Sequence, residues 1–167
     1  NFAHSSVPLP GGRGAWSFTE LTTGLVPSGT LEAVVIDGAP VLAIADRSDH
    51  SILIATAADG RPEDPGDWTL HRLSTPGIQP AGLSLAEVDG GPALVFQDRL
   101  EGVLHYASAA TSSPASESDW SVHRIADLQA VSDSYTLAGL SGRPVLAFAA
   151  KRDFRTRFAS AEQSPSS

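Results

Sequence analysis

Trp68-Thr-Leu-His-Arg-Leu73 and Trp120-Ser-Val-His-Arg-Ile125 are one short segment written twice, and Trp16-Ser-Phe-Thr-Glu-Leu21 is a third, more diverged copy. The steps are 68 − 16 = 52 and 120 − 68 = 52 residues. A second marker keeps the same period: Pro40, Pro92 and Pro144 close Asp37-Gly-Ala-Pro40, Asp89-Gly-Gly-Pro92 and Ser141-Gly-Arg-Pro144. The residues after each Pro agree too, as Pro40-Val-Leu-Ala-Ile-Ala-Asp46, Pro92-Ala-Leu-Val-Phe-Gln-Asp98 and Pro144-Val-Leu-Ala-Phe-Ala-Ala150. Two unrelated markers holding one period without drift identify an internal repeat.

Each repeat reads as four short strands. In the middle copy they fall near Leu83–Val88, Ala93–Gln97, Val103–Ala109 and Trp120–Ile125. All are runs of β-branched, aromatic, Leu or Ala residues bounded by Gly, Pro, Asp or Ser. The second strand is apolar on both faces, so it belongs between layers. The fourth alternates polar and apolar residues, which suits an outer, half-exposed strand. The turn before each marker Pro is a Gly-containing hairpin signal, and Ala110–Asp119 is a polar surface loop. No stretch carries helical periodicity, so no helix is expected. Four antiparallel strands every 52 residues predict a β-propeller. A β-sandwich also uses many short strands, but it leaves the strict period unexplained. The repeats run over about 22–73, 74–125 and 126–167, the last completed by 1–21.

Composition narrows the function. The 167 residues are 41% hydrophobic, with 15 Gly and 12 Pro, as in a turn-rich globular protein. No apolar run is long enough to span a membrane as a helix. A net charge of −8 opposes binding to phosphate backbones, so no nucleic-acid partner is expected. There is no Cys, which excludes disulfides and thiolate metal sites. Ten Arg to one Lys, with abundant Ala, suggest a GC-rich bacterial source. The opening Asn1-Phe2-Ala3-His4 has no initiator Met and no signal pattern, so a processed or cut chain is expected. A Cys-free chain suits either redox environment, which leaves the compartment open, with a secreted or cell-surface bacterial setting favoured.

The run Ser84-Leu-Ala-Glu-Val-Asp-Gly-Gly-Pro-Ala-Leu-Val-Phe96, then Val103-Leu-His-Tyr-Ala107, a polar loop and Trp120 resembles bacterial propeller proteins with BNR-like, sialidase-type repeats. The resemblance spans nearly the whole chain and implies blade architecture. The family's Ser-x-Asp-x-Gly-x-x-Trp box is degraded here to Asp64-Pro-Gly-Asp-Trp68 and Ser116-Glu-Ser-Asp-Trp120.

The repeat also predicts assembly. Phe2 stands 14 residues before Trp16, as Ile54 does before Trp68 and Tyr106 before Trp120. Phe2 therefore opens the tail of a third strand and Trp16 opens a fourth. Phe158 occupies the Tyr106 position, and the Trp one period beyond Trp120 is absent. Three blades are too few for a ring, whereas two chains give six, each N-terminal strand completing the partner's last blade. A homodimer is the expected partner arrangement, with complementary blades from another chain as the alternative.

The candidate site residues follow from the repeat and its departures. Trp16, Trp68 and Trp120 can stack on sugars, although filling the gaps between blades is the favoured reading. His71-Arg72 and His123-Arg124 recur where the first copy has Thr19-Glu20, and a solvated outer strand is expected there. Asp46-Arg47 and Asp98-Arg99 end their second strands, on the face where propeller ligands usually bind; Asp–Arg pairing that orients loops or joins neighbouring blades is favoured over binding. Lys151-Arg-Asp-Phe-Arg-Thr-Arg157 puts Lys151, Arg152, Arg155 and Arg157 into seven residues of an acidic chain. Arg155 and Arg157 are expected on one face of the third strand. The run can grip an anion or a carboxylate-bearing sugar or, as favoured, pair with acidic groups across the subunit seam. Tyr106 and Tyr135 fall at apolar repeat positions, and there is no Gly-x-Ser-x-Gly elbow and no metal-spaced His pair. The expected function is a non-catalytic binding or scaffolding propeller without a cofactor or metal. A lectin taking glycans between blades is the alternative, and a sialidase-like hydrolase comes third.

Overall fold

The computed structural model describes residues 2–5, 16–21, 25–153 and 155–161. These hold twelve strands: β1 (Phe2–Ser5), β2 (Trp16–Thr19), β3 (Pro27–Ile36), β4 (Ala39–Asp46), β5 (Ser51–Ala57), β6 (Trp68–Ser74), β7 (Pro80–Val88), β8 (Gly91–Asp98), β9 (Val103–Ala109), β10 (Trp120–Leu140), β11 (Arg143–Ala150) and β12 (Thr156–Ser160). No α-helix occurs among the described residues, so the fold is all-β. Two single 3-10 turns, Pro65–Asp67 and Glu117–Asp119, fall where no helix was expected. Each is pinned by its own carboxylate. Asp67 Oδ2 accepts from the Glu63 and Asp64 amides, and Asp119 Oδ2 accepts from the Ala115 and Ser116 amides. Each carboxylate thus makes a local turn device ahead of Trp68 and of Trp120.

Unit 1 is the antiparallel sheet β3-β4-β5-β6. Unit 2 is β7-β8-β9 and the start of β10, and unit 3 is the end of β10 with β11 and β12. Between units 1 and 2 the chain breaks at Thr75-Pro-Gly77. The corresponding stretch after Ile125 has neither Pro nor Gly, and β10 runs through as one strand. It pairs with β9 over Trp120–Arg124 and with β11 over Tyr135–Leu140, so the repeat boundary near 125 falls inside it.

Pairing register repeats with the sequence. Ala43↔Ile54, Val95↔Tyr106 and Ala147↔Phe158 are equivalent pairs, as are Ala57↔Trp68 and Ala109↔Trp120. The β1–β2 hairpin continues the series with Ser5↔Trp16, so it carries the register of a third and a fourth strand. The three marker turns are alike as well. Asp37-Gly38, Asp89-Gly90 and Ser141-Gly142 all have positive φ at both residues, the type I′ geometry of a two-residue hairpin.

The units stack face to face, and the same repeat positions make each seam. Between units 1 and 2, Val41, Ala43, Ile52, Ile54 and Leu73 meet Leu83, Leu85, Leu94, Phe96 and Trp120. One period later, Ala93, Val95, Leu104, Tyr106 and Ile125 meet Tyr135, Leu137, Leu146 and Phe148. Leu21 of the N-terminal hairpin packs likewise on Leu42, Ala55 and Trp68 of unit 1. The second strands β4 and β8 are largely buried on both faces, as expected for strands between layers.

The first strands of successive units also bond across the seam. The Leu85 amide donates to the Glu32 carboxylate, and the Leu137 amide donates to Ser84 Oγ at 2.9 Å. These are one contact repeated, since 84 − 32 = 52 and 137 − 85 = 52. Gly139 sits where any Cβ would collide with the Glu87 carbonyl oxygen, so the first strands approach as closely as a glycine permits.

Candidate functional site

The loops after the second and fourth strands gather the acidic and cationic residues singled out in the sequence. Asp46 ends β4 fully buried. Its Oδ1 accepts from the Val26 amide, the Ser48 amide and Ser48 Oγ, and its Oδ2 from Arg72 Nη1 at 3.0 Å. Burial alone would raise the carboxyl pKa; these hydrogen bonds outweigh it and hold the group at about 2. The cation paired with Asp46 is Arg72 on the fourth strand, not the adjacent Arg47. Asp98 repeats the arrangement, nearly buried, with Oδ1 accepting from the Gln79 and Leu100 amides. Both carboxylates organise the loop that follows them. Arg47 and Arg99 are exposed and bond to Val26 and Gln79 through their own amides.

A second ion pair recurs one step out. Arg72 Nη1 lies 2.7 Å from Asp49 Oδ2, and Arg124 Nη1 lies 3.2 Å from Glu101 Oε2. The positions match, since 124 − 72 = 52 and 101 − 49 = 52. In unit 3 the acid is Asp153, and its partner is Arg157 of β12 at 2.7 Å. Arg155 was expected to share a strand face with Arg157. Instead it precedes β12: its amide donates to Asp153 Oδ1 and its carbonyl accepts from the Ala150 amide, which makes it part of the turn. Lys151 and Arg152 are exposed, and Lys151 Nζ lies beside Gly102 of unit 2. Phe154, inside the same cationic run, lies outside the described residues.

Trp68 and Trp120 are buried in the seams, 7% and 8% exposed, and present no open stacking face. The side chain of Trp16 lies outside the described part of the structure. His71 differs from the solvated residue the alternating pattern suggested. It is half-buried, and its Nε2 accepts from Trp120 Nε1 at 3.0 Å. Burial holds its pKa below 6.5 against the pull of Asp119 and Glu117, so it is the neutral, accepting imidazole. His123, its counterpart, is exposed. Tyr135 Oη donates to the Ala81 carbonyl and accepts from the Gln97 amide, which ties the unit 2–unit 3 seam.

Two cavities follow. One of about 370 Å³ opens on the loop face between units 1 and 2, against Asp49, His50, Arg72, Thr75, Gln79 and Leu100. The other, about 390 Å³, lies between units 2 and 3. Among the described residues no three His, Asp or Glu gather as a metal site. The sequence reading missed Arg72 and His71 as organising groups; their only signal was recurrence at 124 and 123. Comparison with family models, with curated proteins and with solved structures gives no match.

Proposed function

We propose that the chain is a non-catalytic β-propeller module of the BNR-like type, two copies of which close a six-bladed ring that presents its loop face to a ligand. The observation that carries this reading is where the seam positions are left open. In the two internal seams, Leu83, Val88 and Ile54 are buried or half-buried. Their equivalents at the ends of the stack are Leu31 on unit 1, 53% exposed, and Leu140 and Phe158 on unit 3, 62% and 67% exposed. One end bears the forward face and the other the rear face of the same contact. Such faces are complementary head to tail, and a rotation that closes makes a ring. Substituting Phe158→Glu should halve the solution mass while the circular-dichroism spectrum stays that of the parent; an unchanged mass counts against the ring.

The cavity at Asp49, Arg72 and Gln79 favours a lectin-like form of the same reading. It is an open hollow of mixed polar and apolar lining in which an Arg and an Asp can serve the hydroxyls of a sugar. A glycan array tests it: retention of a saccharide that Arg72→Ala abolishes supports the lectin, and no retention at millimolar sugar leaves the scaffold role.

A further inference from the structure

The 390 Å³ cavity between units 2 and 3 is lined by Val95, Tyr106, His123, Ile125, Leu146 and Ala159, among others. Subtracting 52 from each gives Ala43, Ile54, His71, Leu73, Leu94 and Ala107. Five of these belong to the cluster that holds Trp120, and the sixth, His71, accepts its indole N–H. The cavity is therefore the place a Trp fills one seam earlier, open here beside β12, which pairs only with β11 among the described residues. We propose, resting on the two-chain ring, that this socket and the β12 edge receive β2 of a second copy, with the indole of its Trp16 entering the socket toward His123.

Register makes the proposal specific. Trp120 stands opposite Ala109 and Arg124 opposite His105. One period on, these places are Ala161 and Arg157, and the incoming strand sets Trp16 opposite Ala161 and Glu20 opposite Arg157. Glu20 is the one fourth-strand copy in which an acid replaces the Arg of 72 and 124, and unit 3 is the one unit whose third strand carries an Arg at this position. Both departures from the repeat thus answer each other as a cross-strand ion pair. Both groups are exposed in the single chain, with Arg157 held by Asp153. Since β1 bonds the same edge of β2, with Ser5 opposite Trp16, docking exchanges β1 for the partner's β12.

Charge reversal tests this by sedimentation velocity. Glu20→Arg and Arg157→Glu should each weaken self-association at least tenfold, and the doubly reversed chain should recover it. These surface changes should leave the fold intact by circular dichroism. A peptide of residues 15–21 titrated into the Trp16→Ala chain should bind, and its own Trp→Ala version should bind at least tenfold more weakly. Equal binding of the two peptides, or no recovery in the double reversal, overturns the proposal. The outcomes separate it from the ring: a dimer indifferent to both charges keeps two chains and removes this docking. A monomeric parent chain that still prefers the Trp peptide keeps the socket and removes the ring.

Discussion

Replacing Trp120 tests the seams most sharply. The side chain is 8% exposed, packs within the unit 1–unit 2 core and donates to His71 at 3.0 Å. Burial of an aromatic of this size removes about 150–250 Å² from water, which at about 25 cal/mol per Å² amounts to about 4–6 kcal/mol as an upper bound. The hydrogen bond adds about 1 kcal/mol net. Trp120→Ala is therefore expected to cost about 3–5 kcal/mol, a large share of the roughly 5–15 kcal/mol available to a domain. Trp120→Phe should cost less, because the ring is partly replaced and only the N–H is lost. Urea unfolding followed by circular dichroism measures both. A double-mutant cycle with His71→Ala should return a coupling of about 0.5–1.5 kcal/mol. A Trp120→Ala chain within about 0.5 kcal/mol of the parent that had lost a glycan-binding activity would refute the packing role and restore the sugar-stacking one.

Three further outcomes follow from the same geometry. The folded pKa of His71 lies below its ordinary 6.5, chiefly from burial and against Asp119 and Glu117. That of His105 is lowered too, by burial and Arg124 against Asp98 and Glu101. The neutral forms favour folding, so stability is full above about pH 6.5 and declines as the pH falls below it, because the unfolded chain then binds more protons; urea midpoints at pH 8 and pH 5 should differ in that direction. Asp46 gives a second acid limb: lowered from 3.8 to about 2, it supplies about 2 kcal/mol above pH 4 that vanishes as the pH falls through 2, and Asp46→Asn should remove that limb. Gly139→Ala should destabilise by about 1–3 kcal/mol because its Cβ meets the Glu87 carbonyl, whereas Gly66→Ala, with nothing within 4 Å, should stay within about 0.5 kcal/mol of the parent in thermal unfolding.

The repeated strands were legible because β pairing imposes a period of two and the turns need Gly or Asp at fixed places. Trp68, Trp120 and the marker turns stand where the 52-residue period puts them. The continuity of β10 was less legible, since it depends on what is missing after Ile125: a Pro or Gly to break the strand. For the loop carboxylates the sequence offers Asp–Arg pairing without naming the partners. That Asp46 takes Arg72 of the fourth strand, 26 residues away, is a pairing the sequence alone does not show. The alternation of its own strand reads His71 as a surface residue. What half-buries it is the next unit's Trp120, and only stacking reveals that.

Light scattering on the unmodified chain at micromolar concentration tests the two-chain ring most directly. Two copies of 17.3 kDa predict 2 × 17.3 = 34.6 kDa. A folded species that stays at 17.3 kDa as the concentration rises contradicts it.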